Sequence, residues 1–231
     1  MSKVPGLFIV GADTSVGKTY ITAMIARSLA AAGVKVGVYK PVASGCEQGD
    51  DGLVSDDAVQ LWEAAGRPGD LEAVCPQRFA APLAPHLAAR AEGKQVDADK
   101  LRAGLKYWTD SSQILLVEGA GGLMSPVSDD DYVADLAADF GFPLLVVTAN
   151  RIGAINQTLQ TLITAATFCE GLEIAGVLLN GVADASDDPS TISNGKELET
   201  RCTPPLLAEV KYGATEFPTA IDWRALAAVQ E

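Results

Sequence analysis

Basic residues are scarce in this chain. Its 17 lysines and arginines stand against 30 aspartates and glutamates, a formal net charge of −13. An acidic surface repels nucleic acid and anionic lipid, so neither is expected as a partner. A polyphosphate ligand stays open, because a helix N-terminus, a few lysines and a metal ion act locally. There is a single histidine, His86, and the four cysteines at 46, 75, 169 and 202 show no C-x-x-C spacing. That excludes the usual ligand sets of a structural zinc site and fits a reduced, cytoplasmic protein. No apolar run reaches the roughly 18 residues of a membrane span. The opening Met-Ser-Lys-Val-Pro runs straight into a strand-like segment and carries no signal-peptide pattern.

What is present is ordinary globular material: 231 residues, 48% hydrophobic and 20% charged, enough for one domain with a large core. Leu7–Val10 is a short apolar run closed by Gly11 and reads as a buried strand. Residues 18–32 carry Ile21, Met24, Ile25 and Leu29 at helical spacing and stop at Gly33. Val36–Tyr39 is a second strand, so the first 40 residues predict a βαβ unit. Residues 41–53 read as a polar loop and Ala58–Ala65 as a helix. From 66 to 101 the period is unclear and predicts helices and ordered loops. Strands resume at Ile114–Val117, Leu144–Thr148, Ile174–Leu179 and Leu206–Val210, with a helix over Ile155–Phe168. The tract 184–193 reads as a surface loop. Apolar strands alternating with helices predict a single α/β domain, with a mostly parallel central sheet covered by helices on both faces.

The strongest motif is Gly11-Ala12-Asp13-Thr14-Ser15-Val16-Gly17-Lys18-Thr19, placed between a strand and a helix as a P-loop requires. Gly17 lets the backbone approach a phosphate. The N–H groups of residues 15–20 face an anion from the helix N-terminus. Lys18 reaches the β- and γ-phosphates, and the Thr19 hydroxyl can ligate Mg²⁺. The loop is a variant, because the first glycine of G-x-x-x-x-G-K-[ST] belongs at position 12, where alanine stands. Glu118 lies at the C-terminal end of a buried strand and is followed by glycine-rich chain, the place where open α/β sheets bind ligands. Asp56 and Asp57 are equally placed at the start of a helix, where either is favourable on dipole grounds alone.

These segments resemble, in order and spacing, the motifs of the dethiobiotin synthetase family. The phosphate loop differs from the family's G-T-D-T-x-V-G-K-T only at Ala12. Lys40-Pro41-Val42-Ala43-Ser44-Gly45 matches K-P-V-x-S-G, and Asp56-Asp57-Ala58 stands at the family's acidic triplet. Pro85-His86 matches its P-H pair, and Val117-Glu118-Gly119-Ala120-Gly121-Gly122 is identical to V-E-G-A-G-G. Gly153-Ala154-Ile155-Asn156 is similar to G-x-I-N. The match thins from about residue 181.

The resemblance implies an ATP- and Mg²⁺-dependent ligase of biotin biosynthesis. It carboxylates 7,8-diaminopelargonic acid with CO₂ and closes a cyclic urea through a carbamate and a carbamic-phosphoric anhydride. It assigns Lys40 and Lys18 to catalysis. Thr14, Ser15, Val16, Gly17, Lys18, Thr19, Tyr20, Asp57, Glu118, Gly119, Ala120 and Gly121 would hold the nucleotide, with Asn180, Lys211 and Tyr212 at the purine. Thr19, Asp57 and Glu118 would hold Mg²⁺, and it is the resemblance alone that selects Asp57 over Asp56. Thr14, Lys40, Ser44, Gly153, Ala154, Ile155 and Asn156 would contact the diamine, the last four across the two-fold interface of a homodimer with shared sites. Lys211 replaces the family's proline. His86 reads as a structural hydrogen-bonder and is given no catalytic role.

Three other readings compete. A cobyrinic-acid-type synthetase carries an additional glutamine-hydrolysing domain for which this chain is too short. An ATPase switch of the partition and septum-site type usually has a second lysine early in the loop, near Asp13 or Thr14, and often a basic amphipathic C-terminal tail; the loop here has no such lysine, and the tail Asp222–Glu231 reads as short and acidic-to-neutral. A nucleotide-binding module without catalysis leaves Lys40, Asp57 and Glu118 unexplained.

Overall fold

A computed structural model describes residues 4–183 and 188–228. The elements, in chain order, are β1 (Gly6–Gly11), α1 (Lys18–Ala31), β2 (Val36–Tyr39), β3 (Val42–Ala43), β4 (Glu47–Gly49), β5 (Gly52–Val54), α2 (Asp56–Ala64), α3 (Leu71–Val74), β6 (Gln77–Arg78), α4 (Pro85–Ala91), α5 (Ala98–Ala103) and α6 (Leu105–Ser111). They continue with β7 (Ile114–Gly122), α7 (Val133–Phe140), β8 (Leu144–Ala149), α8 (Ala154–Thr167), β9 (Ile174–Asn180), α9 (Asn194–Arg201), β10 (Leu206–Val210) and α10 (Trp223–Ala227).

Six strands form one sheet in the order β10-β9-β8-β1-β7-β2, and every pairing in it is parallel. Parallel strands need crossovers, and here the crossovers are helical. All residues of β1 and β8 are buried, so both faces of the sheet are covered. Leu7, Phe8, Ile9 and Val10 are fully buried, each contributing roughly 1.5–3 kcal/mol by leaving water. Because the strands run one way, their C-terminal ends share one edge, and the chain reverses its course across the sheet beside β1. Such a switch point opens a crevice there.

Several elements depart from the sequence reading. The expected β1-α1-β2 unit is present, with β7 lying between its two strands in the sheet, whereas other segments differ. The expected loop over 41–53 contains β3, which pairs in parallel with β6, and the antiparallel hairpin β4–β5. These strands are two or three residues long, too short to show a period. α2 begins at Asp56, where the Ser55 hydroxyl accepts the Ala58 N–H at 3.3 Å and two aspartates occupy the first turn, a favourable N-terminus. Of the loop expected over 184–193, residues 184–187 lie outside the described residues, and Pro189–Ile192 is a 3₁₀ helix.

Candidate active site

The phosphate loop leaves β1 with a last strand-like bond, Ala12 N–H to the Val147 carbonyl at 2.8 Å. It ends at Gly17, whose φ of +86° is left-handed. A Cβ there would stand 2.1 Å from Asn180 Nδ2, so the position needs glycine twice over. Asn180 donates from Nδ2 to the Val16 carbonyl at 3.0 Å and is 2% exposed. Its first task is therefore to brace the loop, and only its Oδ1, buried and without a partner among the described residues, is left for a base. Thr14 gives its N–H to Asp13 Oδ1 at 2.7 Å, which leaves its side chain for a ligand and starts the free N–H series at Ser15.

Lys18 and Lys40 are both buried at the floor of a cavity of about 390 Å³, lined also by Thr14, Ser15, Gly17, Thr19, Ala43, Ser44, Asp57, Gln60, Glu118, Ala120 and Gly121. Lys40 follows β2, and its Nζ lies 2.6 Å from Glu118 Oε1 and 2.8 Å from Asp57 Oδ2. Thr19 Oγ1 donates to the same Glu118 oxygen at 2.7 Å. Burial by itself pushes the Lys40 ammonium down, but the charges of Glu118 and Asp57 more than reverse this and hold its pKa well above the ordinary lysine value. Lys18 goes the other way. Burial lowers its pKa, Lys40 adds to the fall, and the carboxylates only partly offset it. For Asp57 burial raises, and the Lys40 ammonium overcomes it, leaving the carboxyl below its usual value.

The bulge in β7 shapes the upper wall. Ile9 is level with Glu118 and Gly11 with Gly122, so β7 spends four steps where β1 spends two. The excess carries Ala120 and Gly121 out onto the cavity. Gly119 instead sits under the wall against Val133 and Phe8, and Val16 is core. The sequence reading missed Gln60, which lies one helical turn from Asp57 and could have been found by that spacing.

Other predicted positions fall outside this cavity. Lys211 and Tyr212 line a second cavity of about 510 Å³ with Asn150, Gly181 and Glu209, at the ends of β9 and β10. The Tyr20 hydroxyl donates to the Ala214 carbonyl, tethering the turn closed by Ala214 N–H to Lys211 O at 3.0 Å. Gly153, Ala154, Ile155 and Asn156 open α8 and do not line the phosphate cavity of their own chain. A larger cavity of about 770 Å³ between α1 and residues 215–223 contains none of the predicted residues.

The donors around Thr19 suit a hard cation. Two carboxylates and a hydroxyl are all oxygen, and Glu118 Oε2 is buried with no partner among the described residues. Such a cation keeps few protein ligands and several waters. Among the described residues, no group of three or more His, Cys, Asp or Glu is gathered so as to hold a metal ion.

Residues 5–215 match the family described as an AAA domain. Among solved structures, a ParA family ATPase from Chlorobium tepidum superposes with a TM-score of 0.54 at 14% identity, over 90% of this chain and 85% of that one. The signal recognition particle receptor FtsY from Elizabethkingia anophelis gives 0.51 at 15%, over 98% and 65%. Both likenesses are of fold alone. The curated relatives are nearer. The ATP-dependent dethiobiotin synthetase BioD of Rhodopirellula baltica is 44% identical over 215 residues, 88% of this chain and 83% of the relative. That of Anoxybacillus flavithermus is 33% identical over 220 residues, 95% and 97%. With relatives of this kind matched along most of both chains, the chain belongs to the ATP-dependent dethiobiotin synthetase family.

Proposed function

We propose that this enzyme consumes ATP to carboxylate 7,8-diaminopelargonic acid and close its urea ring, giving dethiobiotin. The observation that carries the reading is the buried Lys40, set between Glu118 and Asp57 beside the phosphate loop. One amine takes up CO₂ as a carbamate and loses a proton. A carbamate oxygen attacks the γ-phosphorus and ADP leaves. The second amine attacks the activated carbonyl carbon, the ring closes and phosphate departs. None of these steps needs a protein nucleophile; they need positioning and charge neutralisation.

Lys40 supplies the second. Its raised pKa keeps it protonated throughout the working range, so it acts as a fixed cation for the carbamate and the transferring phosphoryl group and not as a base. Lys18, whose burial outweighs the charge of its neighbouring carboxylates, gains its counter-charge from the β- and γ-phosphates. Ser44 in the cavity wall orients the diamine. Thr19, Asp57 and Glu118 would hold a Mg²⁺ ion, which supplies neutralisation of the phosphate charge when bound. The protons released can pass to substrate or phosphate oxygens; His86 does not line the cavity.

A homodimer completes the site on this reading, with Gly153–Asn156 reaching the neighbour's diamine. Support comes from apolar side chains left outside around that segment: Ile152 is 79% exposed and Ile163 65%. No described helix is long and apolar enough to cross a membrane, and the reading places the enzyme in the cytoplasm. The second loop lysine usual in partition-type ATPase switches does not stand at Asp13 or Thr14. The test is product identity. With ¹³C-bicarbonate, ATP, Mg²⁺ and the diamine, the protein should form dethiobiotin carrying the label in its urea carbonyl, and unlabelled or absent product overturns the assignment.

A further inference from the structure

Asp13 is a carboxylate inside a loop that binds anions, and its two oxygens are each held. Oδ1 accepts the Thr14 N–H at 2.7 Å. Oδ2 accepts from Gln157 Nε2 at 2.8 Å. Gln157 lies in the first turn of α8, on the far side of β8 in sequence, and is 144 residues from Asp13. Its own Oε1 is buried and has no partner among the described residues. An amide can turn end for end, so this orientation is set by the acceptor-only carboxylate and not by the glutamine's own hydrogen bonding.

We infer that Gln157 is a positioning residue for the phosphate loop: it holds Asp13 turned away from the triphosphate and, through Asp13, fixes Thr14. A carboxylate free to swing would face the γ-phosphate with like charge. It would also release the Thr14 N–H and loosen the stretch before Ser15, whose backbone is itself left-handed at φ +57°. Asp13 is the weakest of the three carboxylate influences on the Lys18 ammonium of α1. An unrestrained Asp13 would compete with phosphate for that ammonium. The same contact joins the loop to α8, so the helix that opens with Gly153–Asn156 is registered against the nucleotide site of its own chain.

The activity assay rests on the proposed function; ATP binding does not, and both are measured. Gln157→Glu sets two carboxylates against each other and should lower kcat/KM for ATP by roughly 10- to 100-fold, the worth of a hydrogen bond to a charged group. The loss should appear mainly in KM and in ATP affinity by calorimetry. The double variant Asp13→Asn, Gln157→Glu restores the contact with reversed polarity, the new amide at 13 donating to the new carboxylate at 157 while its oxygen still accepts from Thr14. It should regain most of the lost affinity. If Gln157→Glu does not fold, Gln157→Leu, of similar volume and no charge, serves instead. It should raise KM for ATP while the ligand-free protein keeps its melting temperature. A double variant no better than Gln157→Glu, or single variants that bind ATP like the parent, overturns the inference. A parent that binds ATP but makes no dethiobiotin overturns the proposed function and leaves the binding comparison to decide the role of Gln157.

Discussion

Lys40 Nζ stands 2.6 Å from Glu118 Oε1, an ion pair in which the lysine is 4% and the glutamate 0% exposed. A buried pair of this kind is costly to break, because removing one partner leaves the other charge uncompensated. Lys40→Ala should therefore do two things. Turnover should fall roughly 100-fold or more, the worth of one electrostatic donor in a water-poor site. Stability should fall by about 3–5 kcal/mol. Lys40→Met combined with Glu118→Gln should recover the stability and not the turnover. Denaturant melts beside kcat measurements separate the two, and unchanged turnover in Lys40→Ala would remove the residue from the mechanism.

Lys18 differs from Lys40 in the sign of its shift. Its pKa is lowered from the ordinary 10.5 in the free protein, so charge is lost earlier than usual as pH rises. Phosphates favour the ammonium, so binding should raise the pKa and take up a proton on the alkaline side. ATP affinity should accordingly weaken with rising pH before the ordinary lysine value is reached. Calorimetry in buffers of different ionisation enthalpy reads both effects, and Lys18→Arg should move the decline to higher pH. A flat affinity over this range contradicts the assignment.

Glu118→Gln and Asp57→Asn should each raise the Mg²⁺ concentration that gives half-maximal rate. Glu118, fully buried with one oxygen unpartnered, should show the larger effect; the Asp57 side chain is 46% exposed. Titrating Mg²⁺ at saturating ATP decides this. If neither variant changes the requirement, the cation is held elsewhere.

Much of this site was legible in the sequence because its residues lie at the ends of strongly apolar strands. Gly11, Lys40, Glu118 and Asn180 each follow or close a run that periodicity identifies, and parallel pairing then brings those ends to one edge. What was not legible depends on pairing across long separations. Nothing local tells that β7 slips between β1 and β2, or that the Asn180 amide braces Val16. The same holds for Gln157 reaching Asp13. The short strands β3 to β6 are too brief for a pattern, and they are held by backbone bonds that any residue can make. In the sequence only the resemblance separates position 57 from 56; in the structure it is Asp57 that lies against Lys40.

The dimer reading predicts a solution mass twice 24.0 kDa. It also predicts complementation. A Lys18→Ala chain mixed with an Asn156→Ala chain should regain part of the activity, because one of the two sites in a heterodimer carries both native residues. Sedimentation gives the mass, and co-purification of differently tagged chains confirms the heterodimer. A fully active monomer, or heterodimers that stay inactive, would sink it.

On the proposed function, phosphoryl transfer serves ring closure. Phosphate release from ATP and Mg²⁺ should be near background with either the diamine or bicarbonate omitted. With both present it should rise, one phosphate for each dethiobiotin formed. Equal phosphate release with and without the diamine would contradict the account and favour a nucleotide-driven switch.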